Sequence, residues 1–376
     1  MKRLKILHIT NHFYPCEGGI ESVVLNFAKA QSKKGHDVRV LTTNLSPNGK
    51  LLSNPSEENI FGIKIIRKEV KRNFFYKIFD FENLLEWADI VHVHSFGFIL
   101  DKTILNKNKN KKNRFSLILS THGLFHHTNN RKFLKFIYGV WLKFGLKKVD
   151  LIIADSKNDF QLASRYVDEK KIIIFENGID FYKFFNSKNK KIKNLFLYVG
   201  RFSKNKRIDF LIDTFFNLKK YTKDFRFIIA GRDFDNLDKQ MRKQILNLNL
   251  EQEVKIVHSP SNTDVISLYS SADFFVSASE YEGFGLTILE GMSAGAIPLV
   301  SKNNSFPNII NDKEEGFFIK YHSPLVASKE IYNVINQNLS AVRNNTILRA
   351  KSYDWKTKSD ELERIYFDVL NSSNRL

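Results

Sequence analysis

Glu282 and Glu290 bracket a glycine-rich segment, Glu282-Gly283-Phe284-Gly285-Leu286-Thr287-Ile288-Leu289-Glu290, which follows the apolar run Phe274-Phe275-Val276-Ser277. Gly283 and Gly285 permit a tight turn from a strand into a helix beginning near Leu286. The unpaired N–H groups at such a helix start suit a phosphate. Glu282 then lies in the loop and Glu290 two turns into the helix. The spacing of two carboxylates alone carries no information, but a carboxylate framing a strand–glycine–helix junction does. A carboxylate also suits a vicinal diol, as an acidic residue suits ribose in dinucleotide folds. Arg201 and Lys206 follow another apolar run, residues 194–200. Arg201 offers a planar fork to phosphate oxygens and Lys206 a point charge; the plainer alternative is two of 59 basic residues on a solvated loop. Gly18 and Gly19 let backbone approach a ligand closely, or simply make a turn. His122, in Ser120-Thr121-His122-Gly123, and His94, in Asp89-Ile90-Val91-His92-Val93-His94, both close apolar runs. A histidine there can serve chemistry or only hold the loop.

The elements that must position these residues alternate along the chain. Apolar runs at 4–10, 38–42, 63–66, 90–94, 116–120 and 151–155 read as strands. Residues 20–33 repeat apolar positions at helical spacing and stop at Lys33-Lys34-Gly35, basic residues followed by glycine. A polar, basic stretch at 186–193 reads as a linker. The pattern then restarts, with strands at 194–200, 225–231, 253–257, 273–278 and 296–301. Continuous apolar runs between helical segments predict parallel sheets covered on both faces. The predicted fold class is therefore α/β: two doubly wound, Rossmann-like domains facing across a cleft, with ligand at the carboxyl ends of the strands. The predicted boundaries are 1–185, a linker 186–193, 194–350, and a C-terminal helix within 351–376 that packs back toward the first domain.

In order along the chain, these segments resemble retaining glycosyltransferase family 4, of GT-B fold. Glu282-x7-Glu290 resembles its E-x7-E signature, and Gly200-Arg201-Phe202-Ser203-x-x-Lys206 its G-R-L-x-x-x-K segment. Pro15-x-x-Gly18-Gly19, Asp89-x-x-His92-x-His94, Thr121-His122-Gly123, Asn177-Gly178-Ile179-Asp180 and Met292-Ser293-Ala294-Gly295-x-x-Pro298 complete the match. Arg207 stands where many members have glycine, Gly291 where alanine is commoner and Asn308 where glutamate is frequent. The resemblance implies a hexosyltransferase using a nucleotide-sugar donor, with no metal and no cofactor. It implies that Arg201 and Lys206, with Gly18 and Gly19 opposite, bind the donor diphosphate. Glu290 would bind ribose, and Phe284, Gly285 and Leu286 would offer backbone N–H groups to sugar and phosphate. Glu282 and His122 would be the catalytic residues, facing the transferred sugar. Within the family the sequence is similar to GDP-mannose α-mannosyltransferases of bacterial exopolysaccharide assembly. That implies a glycan or polyprenyl-diphosphate-linked acceptor; a UDP-sugar donor is the alternative.

Composition bounds the remaining classes. The 376 residues suffice for two or three domains. A single cysteine, Cys16, excludes an intrachain disulfide and a cysteine-based metal cluster. Residues 2–10 read as a first strand, not as a signal peptide, and no run is apolar and long enough to span a bilayer. A cytoplasmic protein is expected, peripheral on the inner face of the membrane. The net charge of +19 points to a polyanionic partner, or to AT-rich base composition, which the 34 Phe also fit. Lysines and arginines interleave with aromatics at 64–79 and 131–148. They suit an anionic membrane surface, or place aromatics in the core and lysines in water. Nucleic acid is not an expected partner, since no zinc-finger spacing, RNP-like strand or recognition helix is present. A dehydrogenase would need G-x-G-x-x-G after the first strand, which residues 11–19 do not supply.

Overall fold

A computed structural model of the chain describes residues 2–16, 18–46, 49–69, 81–94, 96–109, 115–122, 141–187, 189–282, 284–303 and 305–373. The chain divides into two compact units, Met1–Gly178 with Trp355–Leu376, and Ile179–Asp354. The basic stretches at 70–80 and 123–140 lie outside the described residues, as do Glu17, Gly123 and Gly283.

The first unit is built on β1 (Lys5–Ile9), β2 (Asp37–Thr43), β3 (Glu57–Ile60), β4 (Ile63–Lys68), β5 (Ile90–His94), β6 (Ser116–Ser120), β7 (Leu151–Ala154) and β8 (Ile172–Ile174). They form one sheet in the order β3-β4-β2-β1-β5-β6-β7-β8, parallel throughout except for the β3–β4 pair. Strand alternation divides β1 cleanly. Leu7 and Ile9 join a core with Val91, Val93, Leu117 and Leu119. Ile6 points the other way, into a core with Phe27, Ile90, Ile118, Leu362 and Tyr366. That second core is closed by the helix Gly19–Lys33 and the final helix Trp355–Ser373. His8 pairs in register with His92 across β1 and β5, and His94 with Ser120 across β5 and β6. Period-two alternation puts all three histidines on the face of Ile6 and Ile90.

The second unit carries β9 (Leu195–Val199), β10 (Arg226–Gly231), β11 (Val254–His258), β12 (Phe274–Ser277), β13 (Ile297–Val300) and β14 (Phe317–Phe318). Their order is β11-β10-β9-β12-β13-β14, all parallel. The order reverses between β9 and β12, so Arg201 and Glu282 both follow strands at the switch of the sheet. Both sheets are doubly wound and essentially parallel, as the alternation of strand and helix predicts.

Three strands are not among the sequence expectations. β3 is short and polar and forms an antiparallel edge, and β8 and β14 have three and two residues. Each is held by its neighbour's ladder and has too few apolar residues to be seen alone. The stretch 186–193 lies inside the second unit. Lys191 there donates to the carbonyls of Tyr269 (3.1 Å) and Ala272 (2.6 Å), closing the C-terminal end of the helix Asn262–Ser271 as a cation at that pole should.

Candidate functional site

In the second unit the site residues converge on the carboxyl ends of β9 and β12. The chain leaves β9 through Gly200 and turns at Lys204–Lys206. The Tyr198 hydroxyl donates to the carbonyl of Arg201 at 2.9 Å, pinning the loop from beneath. Lys206 then reaches Glu282, with Nζ 2.7 Å from Oε1 and both side chains mostly buried. The two segments are also tied through the backbone, where Glu280 N–H donates to Asn205 at 3.0 Å. Arg201 remains exposed, its guanidinium 5.5 Å from the centre of the Phe234 ring. A cavity of about 800 Å³ opens beside the pair, lined among others by Arg207, Ser279, Glu280, Lys302 and Lys320. Pro307, Ile310, Phe318 and Tyr321 also line it, so the cavity offers charges of both signs on a partly apolar wall.

The helix Leu286–Ser293 starts from Gly285 in the left-handed region, φ +107°. A β-carbon there would meet Ile309 Cδ1 and Phe306 Cε1 at 3.1 Å each, so glycine is required twice over. The N–H groups of Ile288 and Leu289 donate to the Gly285 carbonyl at 3.2 and 3.5 Å, while those of Leu286 and Thr287 lie at the helix start, where geometry supplies no partner within the helix. Phe284 is half-buried and packs against Tyr353. Glu290, one turn in, is the interior carboxylate: Tyr269 donates its hydroxyl to Oε2 at 3.0 Å. Burial raises the Glu290 pKa to about 7, opposed by the Tyr269 hydrogen bond and the positive charge of Lys183. Tyr269 sits on another helix and no local sequence signal marks it.

Arg207, next to Lys206, adopts φ +51° and ψ +46°. Only glycine takes this conformation without strain, which accounts for the glycine that many members of the resembled family carry there. The arginine is held by donating to the Tyr321 carbonyl at 3.0 Å and by lying 4.2 Å from the Phe210 ring centre.

In the first unit Gly18 caps, and Gly19 begins, the helix Gly19–Lys33 that follows β1. Gly18 is extended, so its need for glycine is not conformational. His122 follows β6 in a left-handed conformation, φ +43°. Its Nδ1 lies 2.9 Å from Asp155 Oδ2 and its Nε2 3.0 Å from His94 Nδ1. His94 Nε2 lies 2.9 Å from His8 Nδ1, and His8 Nε2 lies 2.8 Å from Gln31 Oε1. His92 stands beside this chain, bonded to Tyr366 Oη (2.7 Å) and Ser120 Oγ (2.8 Å). Burial lowers the pKa of His8 to about 4 against a weaker opposing bond from Gln31. Burial, then neighbouring rings, push His92 and His94 well below the usual histidine range. All three are therefore neutral at pH 7. One ring nitrogen from each of His8, His92 and His94 lies within 4.8 Å of those of the other two, and every ring nitrogen of the three is also at hydrogen-bond distance from a protein partner. Sequence reasoning isolated His122 and His94; it missed Asp155, His8 and Gln31, which become visible only when β1, β5, β6 and β7 are laid side by side.

The family model "Glycosyl transferases group 1" matches residues 180–353, and "Glycosyltransferase Family 4" matches residues 17–182. The chain is 30% identical to a GDP-mannose:cellobiosyl-diphosphopolyprenol alpha-mannosyltransferase of Xanthomonas campestris, over 94% of each chain. It is 29% identical to a protein of the same name from Xanthomonas oryzae pv. oryzae, over 98% of this chain and 97% of the other. Among solved structures, a glycosyltransferase from Rickettsia africae superposes with a TM-score of 0.75 at 18% identity, over 98% of this chain and 99% of the other.

Proposed function

We propose that this chain, which belongs to glycosyltransferase family 4, transfers mannose from GDP-mannose, with retention, onto a polyprenyl-diphosphate-linked oligosaccharide in the assembly of a cell-surface polysaccharide. The observation that carries the reading is the pairing of Lys206 with Glu282 above the sheet switch, with Glu290, bonded by Tyr269, one turn into the helix that follows. It is supported by end-to-end similarity to relatives bearing that activity in their names. Arg201 and Lys206 meet the charge of the diphosphate leaving group, and the N–H groups of Phe284, Gly285 and Leu286 add oriented dipoles. Gly18 and Gly19 stand at a helix start in the first unit, a position that suits an anion. Glu290 as a carboxylate accepts hydrogen bonds from the ribose hydroxyls, and Glu282 and His122 face the transferred sugar.

The acceptor oxygen attacks C1 on the face the diphosphate leaves. The C1–O bond to the acceptor forms, the C1–O bond to phosphate breaks, and the acceptor's proton passes to the departing phosphate oxygen. No residue forms a covalent intermediate, and no metal is required because cations and N–H dipoles carry the charge.

The test is a thermal-shift panel of GDP, UDP, ADP and their sugars with and without EDTA, followed by transfer to a lipid-linked acceptor. A ligand that binds only the folded state raises its stability by mass action. Stabilisation by GDP and GDP-mannose that survives EDTA is expected. Stabilisation by UDP-sugars alone would replace the donor, and stabilisation by none would reject the enzyme reading. The net charge of +19 supports a seat on the inner, anionic membrane face. Binding to anionic but not neutral vesicles, weakened by salt, is the expected result.

A further inference from the structure

The hydrogen-bonded chain behind His122 contains a proton count that depends on its far end. With His8 and His94 neutral, each ring has one N–H to give. If the Gln31 amide turns its NH2 group to His8, every bond points the same way. His8 Nδ1–H donates to His94, His94 Nδ1–H to His122, and His122 Nδ1–H to Asp155, so His122 is neutral. If Gln31 presents Oε1, as it does at 2.8 Å, His8 must donate through Nε2–H. His94 then donates to His8 and His122 to His94, and His122 still donates to Asp155. His122 now carries both protons, as an imidazolium against the Asp155 carboxylate. The two closures use the same atoms and differ by one proton and one amide rotation.

We propose that Gln31, His8 and His94 are positioning residues for His122, a buried relay in which the orientation of the Gln31 amide decides whether His122 stands neutral or positively charged. The relay is sealed: Gln31 and His8 are wholly buried and His94 nearly so. His122, with 5% of its side chain exposed, is the member nearest water, so the extra proton is exchanged with solvent there. Gln31 Nε2 has no hydrogen bond of full geometry among the described residues; the Gln31 side chain also acts on the Tyr366 hydroxyl, a weak contact that amide rotation must change. The groups around the relay are His92 on β5, Tyr366 on the final helix, Asp155 after β7, and Asp159, which bonds Thr121 at 3.2 Å. Among the described residues, Asp155 is the carboxylate that bonds a relay ring. Both ring nitrogens of His122 are engaged, so the ring acts on the donor through its charge and fixed position. This rests on the reading that His122 faces the transferred sugar.

Imidazole 15N spectra of the full-length protein, recorded across pH, test the relay directly. His8 and His94 should share one tautomer at every pH. Both should switch from Nδ1–H to Nε2–H together with the appearance of doubly protonated His122. Different tautomers on the two rings, or a His122 that titrates while they stay fixed, would overturn the relay. The functional link is tested with Gln31→Glu, whose carboxylate only accepts, and Gln31→Met, which does neither. In Gln31→Glu the limb of the kcat profile lost at high pH should move up by about one unit or more, with the donor KM little changed. Gln31→Met should broaden or lose that limb. Profiles coincident with the wild type would overturn the positioning role. If the wild-type protein transfers no sugar, the functional reading fails by itself, and the spectra still decide the relay.

Discussion

Glu290 and Lys206 show how single residues trade stability for binding. The Glu290 pKa is raised from 4.5 to about 7. Below pH 4.5 the group is protonated folded and unfolded and contributes nothing. Between 4.5 and about 7 the unfolded chain ionises first, so stability falls across that window and the loss is complete above it. The full penalty is on the order of 3 kcal/mol. Glu290→Gln should flatten this slope and raise stability at pH 8, read by denaturant unfolding at pH 5 and pH 8. The same variant should weaken GDP binding by calorimetry, and wild-type binding should strengthen as pH rises through about 7. Lys206→Ala removes a phosphate cation and leaves Glu282 buried without it. We expect kcat/KM to fall by about 100-fold or more while the fold persists, as read by circular dichroism. An activity within a few-fold of wild type would remove Lys206 from the diphosphate site.

At the scale of elements, the loops are set by close backbone contacts at strand ends. A β-carbon on Gly231, the last residue of β10, would lie 1.7 Å from the Gly200 carbonyl oxygen. Gly200 in turn donates to Ala230 at 3.0 Å and leads directly into Arg201. Gly231→Ala should therefore cost about 3 kcal/mol and misplace the Arg201 loop, lowering both the melting temperature and GDP affinity. Arg207→Gly is the contrast. It relieves a left-handed residue at a cost in unfolded-chain entropy and in the contacts to Tyr321 and Phe210, so a change within about 1 kcal/mol is expected by thermal unfolding.

At the scale of the molecule, the first unit is completed by residues remote in sequence. Leu362 and Tyr366 of the final helix are fully buried against Phe27, Ile90 and Ile118. Glu363 bonds His36 at 2.8 Å and also pairs with Lys34. Removing residues 355–376 would expose this core and take the Tyr366 hydroxyl from His92. The truncated chain should lose the cooperative unfolding of the first unit, followed by hydrogen exchange in β1 and β5, while β9–β13 keep their protection. Retained protection in β1 would mean the helix only covers the sheet. No helix among the described residues is long and apolar enough to cross a membrane.

The sequence by itself determined the doubly wound class, because period and run length are local properties. It also determined the E-x7-E segment and the Arg201–Lys206 loop, because glycine and charge at strand ends are local signals. It could not mark β3, β8 and β14, whose few residues are strands only by virtue of a neighbour. Nor could it mark Tyr269 beneath Glu290, or Gln31, His8 and Asp155 around His122. Those partners lie 21 to 114 residues away from the groups they serve. Register across parallel strands, which is a long-range property, brings His8 beside His94 and Asp155 beside His122. Tertiary structure alone decided which polar side chains were buried together, and burial set their charge.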